Sequence, residues 1–305
     1  MKIAVIGPGS MGLLYATKLS TAADVVLIGN NKANIDQINQ NGITVKRGDS
    51  STHYNVPAHL NGTYTEAVDL VIMFTKAYIT RQALADNKAI IGPNTVVMTL
   101  QNGAGHESVL QEFAPAARIL IGTTAQGSYR ENAHTIVNSG LGDTNIGAIS
   151  NDFKDIDSFV EVFNKSGFPC FASDKIHQMV WNKLMINASS SVLSGVLGVA
   201  QGYVATNANA WEICKKLIAE ICATANAAGC NFSKDEQTER INKHLHNAPN
   251  GYTSIYADLK NGRKTEVDVI SGAVVKAAKE HGITAPTQEL MVDMVKAMEE
   301  RNLNL

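Results

Sequence analysis

Three glycines near the start of the chain constrain its fold more than any other feature. Gly7, Gly9 and Gly12 directly follow the apolar run Ile3–Ile6 and precede a segment of helical periodicity. In a strand–turn–helix unit, this spacing allows a tight turn, a close backbone approach to a pyrophosphate and close helix–strand packing. The free N–H groups at the start of the helix also favour phosphate. The pattern predicts a dinucleotide site, with an ordinary glycine turn as the alternative. Its residues are Gly7, Pro8, Gly9, Ser10, Met11 and Gly12.

Short apolar runs alternate with amphipathic segments through the first half of the chain. The runs predicted as strands are Ile3–Ile6, Val25–Ile28, Leu70–Phe74, Thr95–Leu100 and Ile119–Gly122. The segments predicted as helices are Met11–Ser20, Ala33–Asn39, Ile79–Asn87 and Glu107–Phe113. Several of these runs are continuously apolar, which is typical of parallel strands that are covered on both faces. The alternation predicts a doubly wound, Rossmann-type parallel sheet, and residues 123–149 predict antiparallel strands at one of its edges.

The sequence after about residue 172 is typical of helices. Helical periodicity is present in Lys175–Leu193, Trp211–Ala228, Lys234–Leu245, Val267–His281 and Thr287–Arg301. We therefore predict an α/β plus all-α protein. A dinucleotide-binding domain is expected over residues 1–170 and an all-helical substrate and catalytic domain over residues 171–305.

Composition excludes several classes of protein. Hydrophobic residues make up 45% of the chain and charged residues 18%, which excludes a disordered chain. The chain has 26 Lys and Arg against 28 Asp and Glu. It therefore lacks the excess of basic residues that would indicate nucleic acid or an anionic membrane as a partner. No apolar run reaches the roughly 18 residues of a membrane span, and the N-terminal run is too short for a signal peptide. The four cysteines form no CxxC pair, so we expect no metal site, reduced thiols and a cytoplasmic location.

The end of the second predicted strand bears on the choice of dinucleotide. NAD-binding proteins usually carry Asp or Glu there to bind the ribose hydroxyls. Here the strand is followed by Asn30, Asn31 and Lys32, without a carboxylate. A 2′-phosphate would not be repelled, so NADP is favoured over NAD, with Asn31 and Lys32 as candidate contacts. The alternative is that Lys32 is a solvated residue at a helix start.

Polar residues also follow two later strands. Lys76 follows Leu70–Phe74, and Asn102 follows Thr95–Leu100. The carboxyl ends of parallel strands are where ligands bind in open α/β sheets. Lys76 could meet an anionic group, and Asn102 could bind the ribose or the substrate. For Asn102-Gly103, a turn is the alternative.

The helix predicted over residues 174–194, with Ser173 or Asp174 as N-cap, carries an unusual polar stripe. The stripe consists of Lys183, Asn187, Ser191 and Ser194, spaced i, i+4, i+8 and i+11 on an otherwise apolar helix. Buried polar groups are costly unless they are hydrogen-bonded or line a cleft. A lysine in such a setting has a lowered pKa and can act as a general acid. The alternative is a lysine that reaches solvent beside a small-residue helix contact.

A second polar cluster lies further along the chain. Ser254 precedes Asp258 by one helical turn, and Glu266 is expected in the first turn of the next helix. A carboxylate suits that position electrostatically, so a capping acid is the alternative to a site residue.

Together these motifs resemble the ketopantoate reductase family over essentially the whole chain. They are residues 7–12, Lys76, Gln101-Asn102-Gly103, Trp181-Asn-Lys183-Leu-x-x-Asn187 and Ser254 with Gly262-Arg-x-Thr-Glu266-Val-Asp-x-Ile-x-Gly272. The resemblance implies a Rossmann domain and a helical domain similar to that of 6-phosphogluconate dehydrogenase. It also implies NADPH-dependent reduction of 2-ketopantoate to D-pantoate for pantothenate and coenzyme A synthesis, in a monomer or homodimer.

The resemblance also implies roles for individual residues. Lys183 would be the general acid. Asn187, Ser191 and Ser254 would contact the substrate. Glu266 would meet substrate or cofactor as part of the catalytic site. The implied cofactor contacts are Lys76, Asn102 and the backbone around Ser128.

Two departures from the family pattern keep alternatives open. The family commonly has Asn at the position of Ser191, and often Arg at that of Asn30. A D-2-hydroxyacid dehydrogenase of the same family, acting on other branched or aromatic 2-keto acids and in some cases with NAD, is therefore the main alternative. A dinucleotide-sensing protein without catalysis is another, against which the presence of Lys183 and Glu266 argues.

Overall fold

The computed structural model describes residues 1–303, and these divide into two compact units. The first contains residues 1–101 and 106–176, and the second contains the short loop 102–105 together with the chain from His177 onward. Each unit has its own hydrophobic core. The boundary between the two units, after Ile176, lies six residues beyond the predicted boundary at 170/171. The loop 102–105, which follows a strand of the α/β half, is grouped with the helices.

Strands occur only in the first unit of the described chain. They are β1 (Lys2–Ile6), β2 (Asp24–Gly29), β3 (Ile43–Arg47), β4 (Ser50–Tyr54), β5 (Ala58–Leu60), β6 (Leu70–Met73), β7 (Val96–Thr99), β8 (Ile119–Thr124), β9 (Gly127–Arg130), β10 (Thr135–Gly140), β11 (Thr144–Ala148) and β12 (Cys170–Ala172). The five predicted strands are all present, with ends that differ from the prediction by no more than two residues.

Helices flank this sheet and make up most of the second unit. They are α1 (Ser10–Leu19), α2 (Lys32–Asn41), α3 (Thr80–Asp86), α4 (Glu107–Leu110), α5 (Ile156–Lys165), α6 (Ile176–Ile186), α7 (Val192–Leu197), α8 (Gln201–Thr206), α9 (Ala208–Ala227), α10 (Lys234–Asn247), α11 (Ser254–Lys260), α12 (Ser271–Glu280) and α13 (Pro286–Leu303). The segment Asn187–Ser191 between α6 and α7 is a π-helix, and Ala77–Ile79 and Val267–Val269 are 3-10 helices.

The main sheet has eight strands in the order β12-β11-β8-β7-β6-β1-β2-β5. The six from β8 to β5 pair in parallel, and β11 pairs antiparallel with β8. Residues of β1, β6 and β7 are almost completely buried, because helices cover the parallel strands on both faces. The structure confirms the predicted Rossmann-type sheet with an antiparallel extension.

A second, four-stranded sheet has the order β4-β3-β10-β9. Strands β9 and β10 lie within the region predicted as an edge of the main sheet, and this part of the prediction is wrong. Instead, β10 pairs in parallel with β3, and both β9 and β10 pack against α1. Strand β4 has the sequence SSTHY and is mostly exposed, so no apolar run marks it in the sequence.

The helical unit is built around α9. Its buried face includes Cys214, Leu217, Ile218 and Ile221, and it packs against α8, α10, α12 and α13. The five predicted helical segments are present, but two of them are interrupted. The π-helix divides Lys175–Leu193, and α12 begins only at Ser271 because the 3-10 helix precedes it.

No helix among residues 1–303 is long and apolar enough to cross a membrane. Those residues also contain no group of three His, Cys, Asp or Glu side chains that could hold a metal ion.

Candidate active site

The glycine turn after β1 has the geometry that its sequence predicts. Gly7 has φ +110°, a conformation that side chains with a Cβ rarely adopt, and its N–H donates to the Ile28 carbonyl at 2.8 Å. A Cβ on Gly7 would lie 2.6 Å from the Thr75 backbone nitrogen. A Cβ on Gly12 would collide with the Gly7 carbonyl oxygen. Packing against the end of β6 therefore requires glycine at position 7, and packing within the turn requires glycine at position 12.

Gly9 differs, because the space beside it is open. Within the described structure, a Cβ on Gly9 would have no heavy atom within 4 Å apart from its chain neighbours. Gly9 is the N-cap of α1, and this end of α1 has neither a side-chain cap nor an acidic residue in its first turn. An open approach to uncapped helix N–H groups fits the diphosphate of a dinucleotide.

Asn31 and Lys32 lie directly beyond β2, at the end of the strand where they were predicted. Asn31 is the N-cap of α2, and its side-chain oxygen accepts from the Asn34 N–H at 3.0 Å. The Lys32 ammonium lies 2.7 Å from the Asp36 carboxylate, and both side chains are exposed. Both candidates therefore have local structural partners as well as access to solvent.

Gln101 joins the ends of β6 and β7, a role that its sequence position does not reveal. Its Nε2 donates to the Thr75 carbonyl at 2.6 Å and to the Thr80 hydroxyl at 2.9 Å, and its Oε1 accepts from the Thr99 hydroxyl at 2.9 Å. Lys76, half-buried, follows directly after Thr75. This buried amide thus fixes the end of the sheet that carries Lys76.

Ser128 lies on β9 in the same unit. Its hydroxyl oxygen is buried and has no hydrogen-bond partner among residues 1–303. A buried hydroxyl without a partner is unusual in a folded protein. It fits a position at which a ligand supplies the missing hydrogen bond.

Asn102 belongs to the other unit, through the loop 102–105. The Ala104 N–H donates to the Val269 carbonyl at 3.0 Å. Gly103 has φ +99°, and a Cβ there would run into the same carbonyl. The loop therefore packs against the 3-10 helix that follows Glu266.

Lys183 lies on α6 next to the fully buried Leu184 and Met185, and is itself half-buried. Burial lowers the pKa of Lys183 to about 8, although the negative charge of Glu266 acts to raise it. Glu266 is the residue before the 3-10 helix, so the predicted position in the first turn of α12 is wrong. The structure nevertheless brings Lys183 and Glu266 into electrostatic interaction.

The π-helix begins four residues after Lys183, at Asn187. Side chains satisfy carbonyls in and beside this wider turn. Gln288 Nε2 donates to the Ala188 carbonyl at 2.9 Å, and the Ser189 hydroxyl donates to the Met185 carbonyl at 2.5 Å. π-Helical turns are rare and are frequently found at functional sites.

The four residues of the predicted polar stripe do not lie on one face of the helix, because the π-helix interrupts it. Lys183 and Asn187 remain half-buried, whereas Ser191 and Ser194 are buried in helix packing. The Ser191 hydroxyl accepts from Gln201 Nε2 at 3.3 Å, and the Ser191 carbonyl accepts from the Ser194 hydroxyl at 3.0 Å. The wider turn rotates the following residues away from the face that an uninterrupted α-helix would give them.

Ser254 is the exposed first residue of α11. The preceding Thr253, which sequence reasoning did not single out, accepts from the Tyr256 N–H at 3.2 Å and donates to the Ser191 carbonyl at 3.3 Å. This threonine therefore connects the start of α11 to the π-helix. A Thr at a helix start is a capping signal, and it could have identified the position.

Family models match most of the chain. The model described as ketopantoate reductase PanE/ApbA matches residues 3–151, and the model for the C-terminal part of the same family matches residues 175–299. The chain belongs to the ketopantoate reductase family. The resemblance noted from motifs is thereby confirmed.

Individual proteins are similar to this chain over nearly their whole length. The 2-dehydropantoate 2-reductase of Streptococcus pyogenes serotype M6 is 29% identical over 302 residues, covering 98% of each chain. A structure of D-mandelate dehydrogenase with NADH and anilino(oxo)acetate has a TM-score of 0.94 at 26% identity, with both chains fully covered. A structure from Enterococcus faecalis, assigned as a 2-dehydropantoate 2-reductase, has a TM-score of 0.80 at 28% identity and 99% coverage of each chain.

In this ketopantoate reductase family member, the candidate residues fall into two groups, one in each unit. The first unit holds the glycine turn of residues 7–12, Asn31, Lys32, Lys76 and Ser128. The second unit holds Asn102, Lys183, Asn187, Ser191, Ser254 and Glu266. The first group thus contains the glycine turn and two candidate lysines, and the second contains Lys183, Glu266 and side chains with amide or hydroxyl groups.

Proposed function

We propose that this protein reduces a 2-keto acid to the corresponding 2-hydroxy acid with a nicotinamide dinucleotide. Ketopantoate is the proposed substrate, D-pantoate the product and NADPH the preferred dinucleotide. Support comes from family membership and from the relatives named 2-dehydropantoate 2-reductase. A cytoplasmic location and a monomeric or dimeric state belong to the same proposal.

The observation that carries this proposal is the state of Lys183. With a pKa of about 8, Lys183 is protonated in most molecules at neutral pH, and it releases its proton more readily than an ordinary lysine. When hydride reaches the ketone carbon, negative charge develops on the ketone oxygen. Lys183 Nζ donates a proton to that oxygen, which gives the alcohol and leaves Lys183 neutral. Glu266 favours the charged form of Lys183 before the transfer and so helps to recharge it afterwards.

The dinucleotide, when bound, supplies the hydride. Residues 7–12 would hold its diphosphate at the open N-terminus of α1, where Gly9 leaves the approach clear. Lys76 and Asn102 offer a cation and an amide at the ends of β6 and β7. The unpartnered Ser128 hydroxyl offers a further hydrogen bond on β9.

The preference for NADPH is proposed from the residues beyond β2. No carboxylate among residues 30–32 would repel a 2′-phosphate. The ion pair between Lys32 and Asp36 joins two exposed side chains one helical turn apart. Such pairs contribute only about 0.3–0.5 kcal/mol, so Lys32 can exchange Asp36 for a phosphate at little cost.

Asn187, Ser191 and Ser254 are proposed to contact the substrate. Their amide and hydroxyl groups can hydrogen-bond a carboxylate and a hydroxyl, the two polar groups that flank the ketone in ketopantoate. Thr253 and Gln201 hold the segments that carry Ser254 and Ser191. Substrate recognition would therefore depend on the π-helix.

A second candidate is an NAD-linked D-2-hydroxyacid dehydrogenase. The observation that favours it is the TM-score of 0.94 with a D-mandelate dehydrogenase that binds NADH. Asn30, at a position where the family often has Arg, also favours this alternative. The chemistry at Lys183 would be the same. The differences would lie in the size of the substrate and in whether the dinucleotide ribose bound beyond β2 carries a 2′-phosphate.

Steady-state kinetics with two dinucleotides and five keto acids separate these functions. NADPH and NADH are each tested with ketopantoate, 2-ketoisovalerate, 2-ketoisocaproate, phenylpyruvate and benzoylformate. We expect the highest kcat/KM for ketopantoate with NADPH. If an aromatic acid or another branched acid is better by tenfold or more, the ketopantoate assignment fails and the reductase assignment stands. No dinucleotide oxidation with any acid would contradict both.

A further inference from the structure

Arg130, on β9 of the second sheet, reaches the glycine turn of the main sheet. Its Nη1 donates to the Pro8 carbonyl at 3.2 Å, although the two residues are 122 positions apart in the chain. Pro8 lies between Gly7 and Gly9, the two glycines that shape the proposed diphosphate site. No motif in the sequence connects Arg130 with that turn.

Two further hydrogen bonds fix the plane of the guanidinium group. Nε donates to the Asn132 carbonyl at 2.7 Å, and Nη2 donates to the Ala133 carbonyl at 3.2 Å. Both acceptors belong to the turn that joins β9 to β10. Arg130 is therefore held by its own hairpin and presents an Nη1 N–H to Pro8.

All three of these acceptors are neutral carbonyl groups. No carboxylate forms an ion pair with Arg130 within residues 1–303, and the neighbouring Glu131 pairs with Lys46 at 2.7 Å instead. Arg130 is half-buried, and burial lowers its pKa, but a guanidinium group remains charged in proteins. A positive charge without a counter-charge thus lies beside the glycine turn.

The N-terminus of α1 adds positive potential at the same place. It carries the partial positive charge of the helix dipole and has no acidic residue in its first turn. The open space beside Gly9 adjoins this helix end. A diphosphate bound there would supply the negative charge that both groups lack.

We propose that Arg130 is a positioning residue for the dinucleotide, acting through the Pro8 carbonyl. It holds the glycine turn in its binding conformation, and its charge adds to the attraction for the diphosphate. This proposal rests on the proposed use of a nicotinamide dinucleotide. It predicts that Arg130 affects dinucleotide affinity and not the acid–base step.

Direct binding measurements on the full chain test the proposal. NADPH and NADH are titrated, by their fluorescence, against the wild type, Arg130→Met and Arg130→Lys. The matched control is Arg47→Met, which removes an exposed arginine from β3 of the same sheet. We expect at least a tenfold rise in Kd for both dinucleotides with Arg130→Met and a smaller rise with Arg130→Lys, which keeps the charge. Arg47→Met should remain within twofold of the wild type.

Two further readouts separate positioning from general damage to the fold. The wild-type Kd should rise more steeply with NaCl than the Kd of Arg130→Met, because part of the attraction is electrostatic. In steady state, KM for the dinucleotide should rise while kcat and KM for the keto acid stay within about twofold. If Arg130→Met does not fold at the assay temperature, Arg130→Lys decides, and an unchanged Kd in that variant overturns the proposal.

The outcomes also separate this proposal from the proposed function. If the wild type binds dinucleotide and Arg130→Met binds it within twofold as tightly, only the role of Arg130 is overturned. If the wild type binds neither NADPH nor NADH, the proposed function fails and this inference fails with it.

Discussion

Burial of Lys183 lowers its pKa to about 8 against the opposing charge of Glu266, a carboxylate more than 80 residues further along the chain. The two effects act on the same proton. Burial makes the ammonium group acidic enough to donate, and the carboxylate keeps it charged near neutral pH.

The first prediction concerns catalysis by Lys183. Lys183→Met keeps the aliphatic chain and removes the proton donor, so kcat should fall by roughly 10²–10⁴-fold. Dinucleotide Kd should change little, because the glycine turn belongs to the other unit. Lys216→Met, which removes an exposed lysine from α9, is the matched control and should be close to wild type. A folded Lys183→Met that retains more than about a tenth of wild-type kcat would falsify the general-acid role.

The second prediction concerns pH. Reduction requires protonated Lys183, so its rate should be constant at low pH and fall as pH rises through about 8. Oxidation of the hydroxy acid requires the neutral amine and should show the opposite dependence. Glu266→Gln removes the charge that raises the pKa of Lys183, so the inflection should move to lower pH. Rates of both reactions are measured from pH 6 to 10, and a Glu266→Gln inflection that stays in place or moves upward contradicts the coupling.

The third prediction concerns stability. The pKa of Lys183 is about 8 when folded and about 10.5 ordinarily, so its burial as a cation disfavours folding at pH 7. Between these values the unfolded chain binds more protons, so this contribution to the free energy of unfolding rises with pH. The difference corresponds to up to about 3 kcal/mol. Lys183→Met should therefore be more stable than wild type at pH 7. The gain is reduced by the favourable interaction that Glu266 loses when the lysine cation is removed.

Urea unfolding at pH 7 and at pH 10 measures this effect. The stabilisation by Lys183→Met should shrink at the higher pH, where the wild-type lysine is neutral in the folded protein. An equal loss of stability at both values would indicate that Lys183 contributes through packing instead.

The fourth prediction contrasts two glycines of the same turn. Gly12→Ala places a Cβ against the Gly7 carbonyl oxygen and should lower Tm. Gly9→Ala places its Cβ in open space, so Tm should stay within a few degrees, yet dinucleotide Kd should rise because the methyl group occupies the approach to the helix end. Thermal unfolding and fluorescence titration of both variants test this. Equal Kd values for Gly9→Ala and wild type would place the diphosphate elsewhere.

The fifth prediction concerns Lys32. If it binds the 2′-phosphate, Lys32→Ala should raise KM for NADPH severalfold and leave KM for NADH unchanged. Asp36→Ala frees Lys32 from its ion pair and should not raise KM for NADPH. A parallel rise for both dinucleotides would show that Lys32 does not contact the phosphate.

The parallel sheet could be predicted because strands that are buried on both faces need apolar residues at consecutive positions, as in Ile3–Ile6. The second sheet could not. Strand β4 is mostly polar and exposed, and β3 pairs with β10, which lies about 90 residues away. Nothing local to either strand records that pairing.

The site was predictable to a similar, partial extent. Lys183 and Asn187 stand out because polar residues interrupt an apolar helix. The π-helix beside them could not be predicted, because Ala188 and the serines suit any helical geometry. The side chains that stabilise it, Thr253 and Gln288, lie more than 60 residues further along. The contact from Arg130 to Pro8 is long-range in the same way.

The π-helix between Asn187 and Ser191 also sets which residues of α7 face the core. A π-helical turn holds about one residue more than an α-helical turn, because its hydrogen bonds join residues i and i+5. If the same sequence formed an uninterrupted α-helix, every residue of α7 would rotate by about 100° about the helix axis. Val192 and Leu193, now buried in the core of the helical unit, would turn toward other surroundings, while Lys183 would keep its place. Losing one residue of this segment together with the wide turn would instead leave α7 on its present face, so natural variation should keep or lose the extra residue and the π-helix together.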